Sequence, residues 1–514
     1  MSNHMKTLVE GSRQEKREAI RALISDQHDR NASLQGLAEI IAEQSEIVHR
    51  DAPAGLKQGE PERYADITAA ATVQQAAIQA VLGILGPDGL LDDARFVALI
   101  DKKGMLERLG RWPLHVTRMR DEGIRAAKVF LARHPGRTIR KVKIFGLGGS
   151  GAPHDIAAEI IGNSRKSSTE IEVVHADAPN PDYVDHQTLA ILASFSGNTE
   201  ETIHCYETIK GKTPLLVALA KGGELREIAG PDRDDLPFMQ IPEDESDLAY
   251  VTQPRESVCL QMTATLALLA SLGLEEGSQG SLTIEGLGFD EALPLIQAWR
   301  ERFGPEIPYR RNPAKRLAFF LLYGIDYRGE GPLGAYDLWD KKAPFLLVDR
   351  NHRAIGHEAR TQIHERSKLN AAFYEAPEFL HNLVESVRAG AESSLWGLDD
   401  DRWVYYFIRS PDEESRIRLR LDKTIQLVLE GKAMHAVLNA EGETPYQRAL
   451  LATYFNAHMT TYLALLNGFD PLPVPTMSWI KNVMAEYPRD GDEEKRAGTL
   501  VRDPLKIHEP DRRN

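Results

Sequence analysis

From Lys141 onward, short runs rich in β-branched and aromatic residues alternate with helical stretches, and this pattern constrains the fold more than any other feature. "KVKIFGL", "EIEVVHA", "TLAILASF", "PLLVALA" and "FMQI" follow one another between Lys141 and Ile241. Amphipathic segments separate the first four. Near-continuous apolar strands with helical crossovers predict a parallel sheet covered on both faces. "VCLQMTATLALLASLGL" (Val258–Leu274) is the most apolar long run, but Gln, Thr and Ser interrupt it and it is too short for a membrane span; it reads as a buried core helix.

The pattern then returns more weakly. A helix is expected from "NPAKRLAFFLL". "APFLLVDR", "WVYYFIR" and "AMHAVLN" are expected strands, with "PDEESRIRLRLDKTIQLVLEG" as a helix between the last two. A final helix should start at Thr444–Pro445, a good N-cap and first-turn pair, and stop at Gly468. The expected fold is α/β, with two doubly wound parallel-sheet subdomains in tandem.

Before Lys141 the apolar residues fall three or four apart, as in "SLQGLAEIIAEQSEIVHR" and "ADITAAATVQQAAIQAVLGIL", with a Pro/Gly-bearing link near "DAPAGLKQGEPERY". The expected organisation is a helical N-terminal extension over 1–115, a first subdomain over 116–275, and a helical connection with a Gly-rich insertion over 276–342. A second subdomain then covers 343–486, and a charged tail, an arm or disordered end, covers 487–514.

A chain of 514 residues with a net charge of −14 has ample material for a core, and its charge argues against non-specific nucleic-acid binding. Its two cysteines, Cys205 and Cys259, allow no disulfide framework and no cysteine zinc site. The charged N-terminus has no apolar signal core. A cytoplasmic protein without membrane or nucleic-acid partners is the expectation.

Ligands of doubly wound sheets bind beyond the carboxyl ends of the strands, where helix N-termini present amide groups. Two loops lie there. "FGLGGSGAPHDIA" offers Gly149, with close backbone approach, and the Ser150 hydroxyl. It has no Gly-Lys-Ser/Thr and so is not a nucleotide P-loop. "LASFSGNTEETI" places Ser194, Ser196 and Thr199 around Gly197 at the mouth of a helix, suited to a small tetrahedral oxyanion. The plain structural alternative is a Gly-rich turn and an N-capping ST-turn. His352, His357 and His364 are five and seven residues apart, which is not the spacing of a helical metal pair; neither metal nor cofactor is expected.

Taken in order, "GGSG" (148–151), "SFSGNTEET" (194–202), "QPRESV" (253–258), "NPAKRLA" (312–318), "TQIHERSKLNAAFYEAPEFLHN" (361–382) and "YLALLNGFDPLPVPTMSWIK" (462–481) resemble the sugar isomerase (SIS) domain family. Within it they resemble the branch of bifunctional phosphoglucose/phosphomannose isomerases. The resemblance runs from about Gly110 to Glu486.

It implies a substrate cradle of Gly149, Ser150, Ser194, Ser196 and Thr199, closed by Pro254. It implies Arg255 at the developing sugar oxyanion, Glu365 as the base of a cis-enediolate proton shuttle, and His381 and Lys481 as ring openers. The implied assembly is a homodimer with the site at its interface, the histidine crossing from the partner. The residue types suit aldose–ketose isomerisation: one carboxylate to carry the proton, a permanently charged fork for the oxygens, and a group that titrates near neutrality. Taken singly, each of these residues reads as an ordinary surface or capping residue.

The chain departs from the family pattern at Leu383, where an acidic residue follows His-Asn, at Phe195 in place of Tyr, and in its extra helical and Gly-rich segments. These departures keep open a C6-sulfonated sugar such as sulfoquinovose as substrate, a non-catalytic sugar-phosphate sensor, and an aminosugar isomerase or deaminase.

Overall fold

The structure, a computed structural model, describes residues 3–25, 30–51, 61–163, 170–175, 183–230, 236–273, 282–328, 333, 338, 340–382, 402–429 and 433–477. Lys481, Leu383 and the tail over 487–514 lie outside them, as does most of the Pro/Gly-bearing link.

Seven helices come first among the described residues: α1 (Asn3–Glu10), α2 (Arg13–Ser25), α3 (Arg30–Asp51), α4 (Pro61–Leu91), α5 (Ala94–Ile100), α6 (Met105–Leu109) and α7 (Trp112–Arg133). They share one continuous hydrophobic core with both sheets. Ile78, Val81 and Leu82 of α4 are completely buried, and each such side chain contributes roughly 1.5–3 kcal/mol. Polar ties reinforce the packing. Lys315, also fully buried, donates to Asp92 Oδ1 (2.8 Å) and to the carbonyls of Pro305 and Ile307. Gln79 Nε2 donates to the Leu338 carbonyl (2.9 Å). Asp66–Leu91, not Val258–Leu274, is the stretch long and apolar enough to cross a membrane; 67% of its apolar window is buried inside the protein.

The first sheet holds β1 (Lys141–Phe145), β2 (Glu170–Val174), β3 (Thr188–Ser194), β4 (Leu216–Ala220) and β5 (Phe238–Gln240) in the order β2-β1-β3-β4-β5, all parallel. Every residue of β3 is buried, as a strand covered on both faces requires. Helices α8 (Ala152–Asn163), α9 (Glu200–Ile209) and α10 (Gly223–Ile228) follow β1, β3 and β4. Then come α11 (Val258–Ser271), α12 (Ile284–Leu287), α13 (Phe289–Phe303) and α14 (Pro313–Tyr323). All of the described side chains of α11 from Val258 to Ala270 are buried, so this run is the expected core helix.

The second sheet holds β6 (Ala343–Asp349), β7 (Ala372–Ala376), β8 (Trp403–Arg409) and β9 (His435–Asn439) in the order β7-β6-β8-β9, again all parallel. The sequence pattern had supplied three of these. β7 escaped it because it is an edge strand whose partly exposed side chains carry little apolar signal. Helices α15 (Arg353–Ser367) and α16 (Ser415–Thr424) follow β6 and β8, and α17 (Pro445–Asn467) closes the subdomain. The Thr444 side chain accepts the Gln447 N–H, Pro445 takes the first turn, and Gly468 ends the helix at φ 82°, as expected. From Tyr446 to Asn467 α17 is entirely buried. Its threonines stay satisfied by donating to carbonyls one turn back, Thr453 to Ala449 and Thr461 to Ala457 (2.7 Å each).

Candidate active site

The strand order of the first sheet reverses between β1 and β3, and both Gly- and hydroxyl-rich loops emerge there, at the carboxyl ends of these two strands. They are stitched together by Ser150, whose Oγ accepts the Phe195 N–H at 2.9 Å. Ser194 is fully buried; its Oγ accepts the Gly197 N–H (2.9 Å) and shares a hydrogen with Thr199 Oγ1 (2.7 Å). It therefore builds the turn. Ser196 is exposed and Thr199 half-exposed at the N-cap of α9, so these two hydroxyls face outward. Gly197 sits at φ 80°, and a Cβ on it would lie 1.7 Å from the Gly222 carbonyl oxygen; no other residue fits. Phe195 is buried in the core, where the hydroxyl of a tyrosine would need a partner.

The third element is the short turn Pro254–Glu256 ahead of α11. Gly149 lies so near it that a Cβ would stand 2.7 Å from Pro254 Cβ, which brings the Gly-rich loop against the Pro-Arg pair. Glu256 clamps this turn. Its Oε2 accepts from the Thr252 N–H, the Thr252 hydroxyl and the Gln253 N–H at 2.6–2.8 Å, and its Oε1 pairs with Arg108 (3.3 Å). Arg255 is 3% exposed. One arm of its guanidinium meets Glu365 Oε2 at 3.4 Å, and the other donates to the Pro471 carbonyl at 3.4 Å. Burial pulls Arg255 below its ordinary value while the Glu365 carboxylate opposes the shift.

Glu365 lies in the last turns of α15, half-exposed, at the point where three separated motifs converge: Pro254–Arg255, "HERSK" and Asp470–Pro471. Behind it the packing is charged. Arg366 is 1% exposed and donates to the carbonyls of Ala457 (2.8 Å) and Arg255 (3.2 Å), which ties the Arg255 main chain to α17. Burial lowers Arg366 to about 9 and raises its neighbour Glu358 to about 7. A cavity of about 10 Å³, room for one water, lies between Arg255, Glu358, Gln362, Arg366 and Asn456. Arg255 Nε, Arg366 Nε, Gln362 Oε1 and Asn456 Nδ2 have no protein partner among the described residues, and a water there would satisfy several of them.

His381 sits apart from this pair. It ends the 3-10 turn Glu378–His381 beyond the edge strand β7 and is exposed. The ring nitrogens of His352, His357 and His364 go to Asp349 (2.5 Å), Arg360 (2.8 Å) and the Ala371 main chain (3.1 Å), three separate partners. Sequence reading missed Glu358, Arg366, Lys368 and Asp470. A lysine where a helix would ordinarily end in glycine was the legible signal at 368.

Residues 334–484 match the family model of the bacterial phospho-glucose isomerase C-terminal SIS domain. A bifunctional phosphoglucose/phosphomannose isomerase from Caldicellulosiruptor bescii is 28% identical over 348 residues, 68% of this chain and 90% of that one. One from Aquifex aeolicus is 24% identical over 344 residues, 66% of this chain and 89% of that one. The crystal structure of a hypothetical protein from Thermus thermophilus shares the fold, with a TM-score of 0.53 at 14% identity over 83% of this chain and 97% of that one. The chain thus carries a sugar-isomerase (SIS) domain over residues 334–484 and, over about two-thirds of its length, resembles the bifunctional phosphoglucose/phosphomannose isomerases.

Proposed function

We propose that this protein is a cofactor-independent aldose–ketose isomerase that interconverts glucose 6-phosphate, and with it mannose 6-phosphate, with fructose 6-phosphate. The observation that carries this reading is the buried Arg255 paired with Glu365 at 3.4 Å, set against the Gly-rich loop through Pro254. A binding module has no use for a carboxylate held against a buried arginine beside an anion cradle, so the pair favours the enzyme over the sensor.

In this mechanism Ser196, Thr199 and the main chain of the 148–151 loop hold the phosphate. His381 and Lys481 open the ring, the histidine arriving from the second subunit of a homodimer. Glu365 removes the C2 proton and returns it to C1. Arg255 balances the negative charge that grows on the O1 and O2 oxygens of the cis-enediolate, a charge that exists only on the way through the reaction.

A second reading changes only the head group. The segments Gly148–Gly151 and Ser194–Thr199 contain no lysine or arginine, and a cradle of neutral hydroxyls also suits a sulfonate, which carries one charge less.

The deciding experiment measures ketose formation from glucose 6-phosphate, mannose 6-phosphate and sulfoquinovose by wild type and Glu365→Gln. Turnover that the variant loses supports the isomerase, and the preferred substrate assigns the head group. Binding without turnover by the wild type overturns the reading in favour of a sensor.

A further inference from the structure

Helix α15 ends in an unusual way. Lys368 follows its last residue with φ 53°, ψ 35°, a left-handed backbone conformation. Every other described residue with positive φ is a glycine, including Gly288, Gly324 and Gly468 at the ends of other helices. A side chain at this position strains the backbone, so its retention calls for a reason. The Lys368 chain folds back over the helix end. Its Nζ donates to the carbonyl of Glu365 and lies 3.5 Å from that of Arg366.

We propose that Lys368 is a positioning residue of the isomerase centre: its ammonium pins the helix end that carries Glu365 and keeps a second positive charge beside Arg255 during proton transfer. This rests on the isomerase reading above. A helix-capping lysine ordinarily reaches into solvent, where a cation at the C-terminus is easily accommodated. Here the amine is instead packed among charged groups from every neighbouring element: Arg255 from the turn before α11, Asp470 from the segment after α17, and Glu365 and Arg366 from its own helix. Two buried arginines oppose its charge. Stability gains little from a third cation there, whereas an enediolate forming next to Glu365 gains directly. Burial, with Arg255 as the next contributor, lowers the amine to about 7, so its charge is held below that pH and lost above it.

The test compares wild type with Lys368→Gly, Lys368→Met and Lys368→Arg in kcat, KM, pH profile and melting temperature. Lys368→Gly relieves the left-handed strain and should melt at or above the wild-type temperature. Its kcat should fall by about 10- to 100-fold with KM little changed. Lys368→Met tests the same loss without the gain in backbone freedom. Lys368→Arg should restore most of kcat and move the alkaline fall of kcat from about pH 7 in the wild type to higher pH. Lys368→Gly or Lys368→Met at wild-type kcat, or Lys368→Arg with an unmoved pH profile, overturns the proposal while leaving the isomerase intact. A wild type inactive on all the sugar substrates overturns the isomerase reading itself, and the role of the lysine with it.

Discussion

The two sheets share a topology but furnish it in opposite ways. In each, the first strand lies between the second and the third, so each has a switch point, between β1 and β3 and between β6 and β8. At the first, uncharged hydroxyls and glycines emerge and Ser196 stays open. At the second, the loops are crowded with charges that satisfy one another. Asp349 Oδ2 holds His352 Nδ1 at 2.5 Å, Arg409 and Glu413 form a bidentate pair, and Arg448 grips Asp412 with two bonds of 2.7 Å. Helices α8 and α17 cover it, leaving a cavity of about 10 Å³ lined by Ile156, Glu159, Asn351, His352, Asp412 and Ala449. A crevice at a strand reversal becomes a ligand site only where donors remain available and volume remains open. Where paired charges fill it, the same topology yields a joint between subdomains.

This contrast predicts that changes at the first switch point cost activity and changes at the second cost stability. Glu365→Gln should show the largest effect, a loss of roughly 10²- to 10⁴-fold in kcat with an unchanged melting temperature. Asp412→Ala should do the reverse. Arg448, 8% exposed, would keep only the carbonyls of Gly442 and Glu443. Loss of its carboxylate partner should cost about 3 kcal/mol, read by denaturant unfolding, with kcat/KM within about twofold of wild type. Inactivity of Asp412→Ala at full stability would break the comparison and make the second switch point part of the site. The double variant Ser196→Ala, Thr199→Ala sharpens the first half. It removes two hydroxyl donors at about 1 kcal/mol each and should raise KM for the anionic substrate about 10- to 100-fold, while Ser194→Ala, deep in the turn, should lower stability instead.

The same contrast explains what could be read in advance. Strand runs, the α17 boundaries and the order of the motifs were legible because alternation, apolar runs, Thr-Pro and Gly are local signals. Arg255 and Glu365 were named from their motifs, yet their meeting is long-range: 110 residues separate them. β7 was missed because an edge strand needs few apolar residues. The charged layer behind the site was missed because Glu358, Gln362 and Arg366 fall at helical spacing among polar neighbours and read as a solvated face. Burial by α17 and the Pro254–Glu256 turn, set by tertiary packing, makes them interior groups. The N-terminal helices read as an added segment, whereas Lys315 of the "NPAK" stretch reaches into them to bind Asp92.

Glu159 offers the smallest and most specific test of the second switch point. It leaves α8 to accept the Ala354 N–H at the start of α15 (2.8 Å), and its other oxygen has no protein partner among the described residues. Burial, helped by Asp155 and Asp349 and opposed by the Ala354 N–H and Arg353, raises its carboxyl to about 8. The folded state therefore holds a proton that the unfolded chain releases near 4.5. Stability must fall as pH rises between those two values, because there the folded form binds more protons than the unfolded form. Glu159→Gln keeps the acceptor for Ala354 and cannot ionise. It should match the wild type near pH 4.5. At the alkaline end of the window it should exceed the wild type by at least about 1 kcal/mol, given the roughly 1.4 kcal/mol that each tenfold change in proton affinity is worth. Chemical denaturation of both proteins across this range reads the difference, with isomerase activity unchanged. A variant less stable than wild type at that alkaline end would mean that Glu159 is ionised in the fold and that the joint between the subdomains depends on its charge.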